Sequence, residues 1–87
     1  MFVIMVYDIK VDRVTKVLKI ARKYLTWVQN SALEGEITKA KFEKLKMELR
    51  NVIKEDEDSI LFYIFRTKLY TSRESMGIEK GKEEVII

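Results

Sequence analysis

The order of apolar and polar positions along the chain predicts strands at both ends and two helices between them. The chain opens on an apolar run, residues 2–7, that stops at Asp8. A run of this length, rich in β-branched and aromatic residues, predicts a strand buried on both faces. A second such run, Ser59–Phe65, is closed by Arg66. The first strand therefore holds Asp8 rigidly where the sheet opens to the surface.

Two stretches between these runs have the three- and four-residue apolar spacing of amphipathic helices. Asp12 is placed to cap the first helix. Its apolar positions are Val14, Val17, Leu18, Ala21 and Leu25. Thr38 is placed to cap a second helix that runs to about Ile53, and its inward positions are Phe42, Leu45, Leu49 and Val52. Each helix is expected to bury one face.

Shorter segments fill the spaces between these elements. Residues 27–33 predict a second extended segment, and residues 34–37 either continue it through a bend marked by Gly35 or begin a short third strand. Residues 54–58 predict an acidic turn, in which Asp58 only precedes the next strand. Adjacent carboxylates on a flexible loop rarely converge on one ion, so no cation site is expected there.

The last quarter of the chain predicts a tail rather than a second domain. Residues 67–74 indicate a marginal edge strand, and residues 76–81 a glycine-punctuated loop. Residues 83–87 form an apolar end that needs a sheet edge to pair with, and we expect a second subunit to supply it. The order βαββαβ with this additional C-terminal strand fits a homodimeric α+β ferredoxin-like sandwich. We expect one domain over residues 1–87, with residues 79–87 used in dimer or partner contacts.

Composition narrows the possible chemistry. The chain has 17 lysines and arginines against 14 aspartates and glutamates, and this mild excess permits nucleic-acid binding. It has no cysteine and no histidine, so any metal must sit on oxygen ligands, which favours Mg²⁺ or Mn²⁺. The apolar N-terminus is too short to span a bilayer and has no basic segment before it. We therefore expect a soluble cytoplasmic protein with no membrane partner.

Asp8 is the first candidate for chemistry, and a basic stripe follows it. A carboxylate so placed can bind a hard cation, act on a proton or cap the next turn. Lys16, Lys19 and Lys23 share one face of the first helix by their spacing. This stripe is either a solvated face or, lying beside Asp8, a surface that neutralises phosphates.

Three motifs together resemble a known family over nearly the whole chain. They are Val6-Tyr7-Asp8-Ile9, the segment from Val28 to Gly35, and Asp58-Ser59-Ile60. They are similar to the CRISPR-associated small endoribonuclease and adaptation proteins, the partners of the larger spacer-acquisition integrase. The resemblance implies a ferredoxin-like homodimer in which Asp8 of the two subunits face each other and share one Mg²⁺ or Mn²⁺ ion.

The same resemblance implies further roles. Arg13 would hold the scissile phosphate, Ser31 would hydrogen-bond it, and the lysine stripe would join Arg13 in binding nucleic acid. The chain departs from the family's usual Val-Phe after this serine, having Ala32-Leu33 instead, and so lacks any positioning role of that aromatic ring.

Three functions follow as expectations. The first is a metal-dependent endonuclease that hydrolyses phosphodiester bonds of single-stranded RNA or double-stranded DNA and acts with the integrase in spacer acquisition. The second is a non-catalytic dimeric scaffold that binds prespacer duplex DNA and bridges integrase dimers, for which Asp8 is dispensable. The third, an unrelated ferredoxin-like regulatory or small-molecule module, predicts neither nucleic-acid affinity nor a metal effect.

Overall fold

The computed structural model describes residues 1–67, Glu74 and Met76. Its elements are β1 (Phe2–Asp8), α1 (Val11–Ala21), β2 (Thr26–Gln29), β3 (Ala32–Glu36), α2 (Lys39–Arg50) and β4 (Ser59–Phe65). This order confirms the predicted βαββαβ arrangement. Most of the predicted edge strand and loop, and all of residues 79–87, lie outside the described residues.

The four strands form one antiparallel sheet in the order β2-β3-β1-β4. The split arrangement arises because α1 carries the chain from β1 past the place later taken by β3. Strand β1 is therefore interior, with β3 on one side and β4 on the other. This topology confirms the ferredoxin-like α+β prediction and places Asp8 at the end of a central strand.

Alternation along β1 divides the sheet into a covered and an open face. Val3, Met5 and Tyr7 point to the helices, where they are buried in one core. The rest of that core is formed by Val17, Ala21, Leu25, Leu33, Ile37, Phe42, Leu45 and Leu49. Both helices therefore cover the same face.

The opposite face of β1 and β4 carries apolar side chains. Ile4 lies opposite Tyr63 in the register, and Val6 lies opposite Leu61. Opposed residues of an antiparallel pair point to the same side, so these four residues form one surface, which we call the open-face patch. Leu61 and Tyr63 are 52% and 50% exposed. The patch is thus apolar and only partly covered by the described residues. The prediction of a strand buried on both faces is therefore wrong for β4, none of whose side chains is buried among the described residues.

The helix boundaries differ from the predicted ones at three places. Asp12 does not cap α1: Lys10 occupies the N-cap position without a side-chain cap bond, and its carbonyl accepts the N–H groups of Arg13 and Val14. Helix α1 ends at Ala21, before Leu25, although Leu25 is buried as predicted. Helix α2 ends at Arg50 rather than about Ile53, while its predicted cap is confirmed by a 3.2 Å bond from the Lys41 N–H to the Thr38 hydroxyl.

The predicted extended segment over residues 27–33 is wrong, because a hairpin turn interrupts it. Asn30 has a φ of 44°, a left-handed conformation that asparagine tolerates better than most residues. The Trp27 indole donates to the Asn30 carbonyl at 2.8 Å, and the Tyr7 hydroxyl donates to it at 3.2 Å. Gly35 instead lies inside β3, where an added Cβ would meet Leu25 Cδ2 at 3.4 Å. The turn therefore falls at Asn30, beside the end of β1.

Candidate functional site

Asp8 is the last residue of β1 and is exposed. It lies opposite Ser59 on β4, and alternation places its side chain on the same face as Val6 and the open-face patch. Within the part of the chain that the structure describes, its carboxylate makes no hydrogen bond or ion pair. The sheet holds the backbone of Asp8, and its carboxylate oxygens remain available to bind a ligand.

Two serines flank this position, one on each side of β1. Ser31, a predicted site residue, lies in the hairpin turn, and its carbonyl accepts the Tyr7 N–H at 3.0 Å. Ser59 stands directly across from Asp8, a relation that brings Cβ atoms to about 5 Å. Ser59 was not predicted as a site residue. The Asp58-Ser59-Ile60 motif drew attention to this segment, but only the strand register shows that Ser59 pairs with Asp8.

Asp58 has the most heavily bonded carboxylate among the described residues. Its side chain is 0% exposed. Oδ1 accepts the Lys10 N–H at 2.9 Å and a guanidinium N–H of Arg13 at 3.0 Å. Oδ2 accepts the Lys54 N–H at 2.9 Å and the Nε–H of Arg13. The Arg13 guanidinium, and then these backbone N–H groups, hold the pKa of Asp58 well below its ordinary value. The prediction that Asp58 only precedes a strand is wrong.

Arg13 is the other half of this buried ion pair. It is 8% exposed, and besides Asp58 its guanidinium donates to Asp12 and Glu57, each at 3.2 Å. These carboxylates, Asp58 foremost, raise the pKa of Arg13 above its ordinary value. Three carboxylates already neutralise this guanidinium, so this geometry does not present it to a phosphate. The expected phosphate-holding role of Arg13 therefore lacks support, and its contacts assign it to the support of the site instead.

The lysine stripe is separated from Asp8. Lys16, Lys19 and Lys23 are exposed, as predicted, but α1 packs on the face of the sheet opposite to that of Asp8. Lys23 ion-pairs with Glu48 and lines the same hollow as Met1. That hollow lies where β1 begins, about 20 Å from its end. The stripe is thus on the helical side of the sheet and the Asp8 side chain on the other, and its binding of nucleic acid stays a prediction.

The described residues of one chain place few metal-binding groups around Asp8. Among the described residues, no three acidic side chains come together as a cluster that could hold an ion. Asp8 supplies one carboxylate, and its serine neighbours supply hydroxyl oxygens. These are donors that suit Mg²⁺ or Mn²⁺ in kind.

The Leu33 half of the Ala32-Leu33 departure is a matter of core packing. Leu33 is fully buried in the core and lies opposite Met5 on β1. A larger side chain at this position would point among the helices rather than toward Asp8. Ala32 instead lies opposite Val6, on the open face of the sheet.

Membrane insertion finds no support in the described part of the chain. Neither of its helices combines the length and the apolar character needed to cross a bilayer.

The sheet order, the one-sided helices and the exposed carboxylate that ends the central strand define a small ferredoxin-like domain with an acidic site at one end of its sheet. The chain belongs to the family described as CRISPR associated protein Cas2, whose model matches residues 1–73. This confirms the family resemblance predicted from the three sequence motifs.

Similar proteins match the chain over nearly its whole length. The CRISPR-associated endoribonuclease Cas2 of Dictyoglomus turgidum is 60% identical over 87 residues, covering 100% of both chains. The protein of the same name from Thermotoga maritima is 54% identical over 86 residues, covering 99% of both. A crystal structure of cas2 superposes with a TM-score of 0.84 and 46% identity, covering 92% of this chain and 90% of that one.

Proposed function

We propose that this protein is a metal-dependent endonuclease that cuts phosphodiester bonds of single-stranded RNA or double-stranded DNA and acts with the larger CRISPR integrase in spacer acquisition. One observation carries the proposal: Asp8 ends an interior strand, is exposed, and makes no side-chain hydrogen bond or ion pair within the described residues. The endoribonuclease names of the two relatives support the same reaction class.

A homodimer would complete the site. The open-face patch is apolar and exposed, and it adjoins Asp8 on the same face of the sheet. Packing two copies by this face around a two-fold axis would bury both patches and bring the two Asp8 side chains together. The dimer would thus supply a second carboxylate, which the described residues of one chain do not place beside Asp8.

The paired Asp8 carboxylates would hold one Mg²⁺ or Mn²⁺ ion. When bound, this ion would supply an activated water and neutralise charge on the phosphodiester. The residues of the chain itself would bind and orient. Asp8 provides the metal-binding oxygens, and the Ser31 hydroxyl, at the same end of the sheet, donates to a phosphate oxygen. Ser59, across from Asp8, is placed to make a second such contact.

A second candidate function rests on the position of the lysine stripe. Lys16 and Lys19 are exposed on the helical layer, away from Asp8. A basic surface remote from the carboxylate suits binding of a duplex backbone without cleavage. This favours the alternative of a dimeric scaffold that holds prespacer DNA and bridges integrase dimers.

The decisive test compares cleavage of labelled single-stranded RNA and duplex DNA by wild type, Asp8→Asn and Asp56→Asn. Asp56 is a matched control because it is another exposed carboxylate, in the turn before β4. Each protein is assayed with Mg²⁺, with Mn²⁺ and with chelator, after its dimeric mass has been checked. We expect metal-dependent cleavage by wild type and Asp56→Asn, and none by Asp8→Asn.

Equal cleavage by wild type and Asp8→Asn would contradict the nuclease proposal. If none of the three proteins cleaves but all bind duplex DNA in a salt-sensitive manner, the scaffold is the function.

A further inference from the structure

We infer that Arg13 and Asp58 are a positioning pair that fixes Asp8 in place for the reaction; this inference rests on the proposed function and adds a role to it. The pair joins distant parts of the chain, since 45 residues separate its members. It connects the first turn of α1 to the residue immediately before β4. These two places adjoin the end of β1.

Asp58 restrains the chain on two sides of Asp8. Its carboxylate accepts the N–H of Lys10, two residues after Asp8. Its own backbone leads directly into Ser59, the residue that pairs with Asp8 across the sheet. One buried side chain therefore restrains both the segment that leaves Asp8 and the strand that lies against it.

Arg13 holds the Asp58 carboxylate in a single orientation. Its Nε–H and one Nη2–H grip the two oxygens of Asp58 as a fork, so the carboxylate plane cannot turn without breaking both bonds. The remaining bonds to Asp12 and Glu57 fix the guanidinium in turn. Four of the five guanidinium N–H groups and both carboxylate oxygens are thus bonded, as a rigid support requires.

Asp8 needs such a support because nothing holds its own side chain. With no contact to that carboxylate in the described residues, the backbone alone sets its position. A displacement of about 1 Å at a reacting centre can cost roughly a hundredfold in rate. The pair would then act on the reaction through Asp8, without touching the substrate.

The absence of cysteine from the chain makes the position of residue 8 directly measurable. In the full-length Asp8→Cys protein, a short bifunctional thiol reagent should join the two subunits across the proposed two-fold axis. The rate of joining is compared with that of the double variant carrying Asp58→Asn, at a temperature where both proteins are folded dimers. We expect the second substitution to slow joining by roughly tenfold or more.

Ile37→Ala is the matched control. Ile37 is a core residue whose N–H bonds to the Met1 carbonyl, at the far end of the sheet from Asp8. This substitution lowers stability without removing any contact of Arg13 or Asp58, so Asp8→Cys/Ile37→Ala should cross-link at the rate of Asp8→Cys. Slowing by the control as large as that by Asp58→Asn would mean general loosening and would overturn the inference. So would an unchanged rate with Asp58→Asn.

A second variant and a second readout cover the remaining cases. If Asp58→Asn does not fold, Arg13→Lys keeps the charge but loses the fork, and the same slowing is expected from it. If Asp8→Cys itself does not cross-link, the dimer of the proposed function fails. The pair is then judged by backbone ¹⁵N order parameters at residues 8–10. These must fall with Asp58→Asn and not with Ile37→Ala; unchanged values reject the positioning role.

Discussion

Truncation of Leu61 in the open-face patch should weaken the dimer selectively. Complete burial of a leucine side chain is worth about 1.5–3 kcal/mol. Leu61 is 52% exposed in one chain, so its burial in a dimer contributes roughly half of this, about 0.8–1.5 kcal/mol. Each subunit of a two-fold dimer provides one Leu61, so the interface contains this contribution twice. Leu61→Ala should therefore cost up to about 1.5–3 kcal/mol of association free energy, a dissociation constant about 10- to 100-fold higher.

Sedimentation velocity over a range of protein concentrations measures this constant. Met47 provides the matched control, since it is a 61% exposed apolar side chain on α2, in the layer on the other side of the sheet. Met47→Ala should change the constant by no more than a factor of about two. Equal effects of the two substitutions, or none from Leu61→Ala, would refute the open face as the dimer surface.

Three further results are expected. Because the guanidinium of Arg13 lowers the pKa of Asp58, the ionised carboxylate stabilises the fold above the ordinary carboxyl pKa and loses this effect below it. The free energy of unfolding of wild type, measured with urea, should thus fall below about pH 4, and less so in Asp58→Asn. Phe42→Ala should lower that free energy by about 3–5 kcal/mol, because the ring is buried and packs edge-on at 5.0 Å against another aromatic ring; a smaller loss than that from an exposed control would contradict the core assignment. The double variant Lys16→Ala/Lys19→Ala should bind duplex DNA more weakly. The slope of the logarithm of its binding constant against the logarithm of the salt concentration should be smaller by about two, because about two fewer counterions are released. An unchanged slope would exclude the stripe from the interface.

The sequence was sufficient for the order of elements because each apolar run and each amphipathic helix can be recognised from its own residues. The run before Asp8 and the helix after Thr38 needed no long-range information. The hairpin turn was not predicted because its signal is one asparagine in a left-handed conformation, whereas Gly35, where a bend was expected, sits in a strand against Leu25. Local chemistry at these positions is ambiguous until the register of β3 against β1 is known.

The site residues also divide into those that could be predicted from the sequence and those that could not. Asp8 was predictable because its position follows from the strand that precedes it. Asp58 was not, because its significance lies in contacts with Arg13 and Lys10, more than forty residues away. The role expected for Arg13 lacks support for the same reason. Its sequence neighbours suggest an exposed helical cation, and only the tertiary fold shows the buried carboxylate beneath it.

The interior position of β1 has a consequence for how long the site keeps its shape. Both edges of this strand are hydrogen-bonded, to β3 and β4, whereas β2 is a four-residue strand at the border of the described sheet. Amide hydrogens of β1 should exchange with solvent only when the domain unfolds globally, and those of β2 through local fraying. The geometry around Asp8 would then persist for as long as the folded state itself.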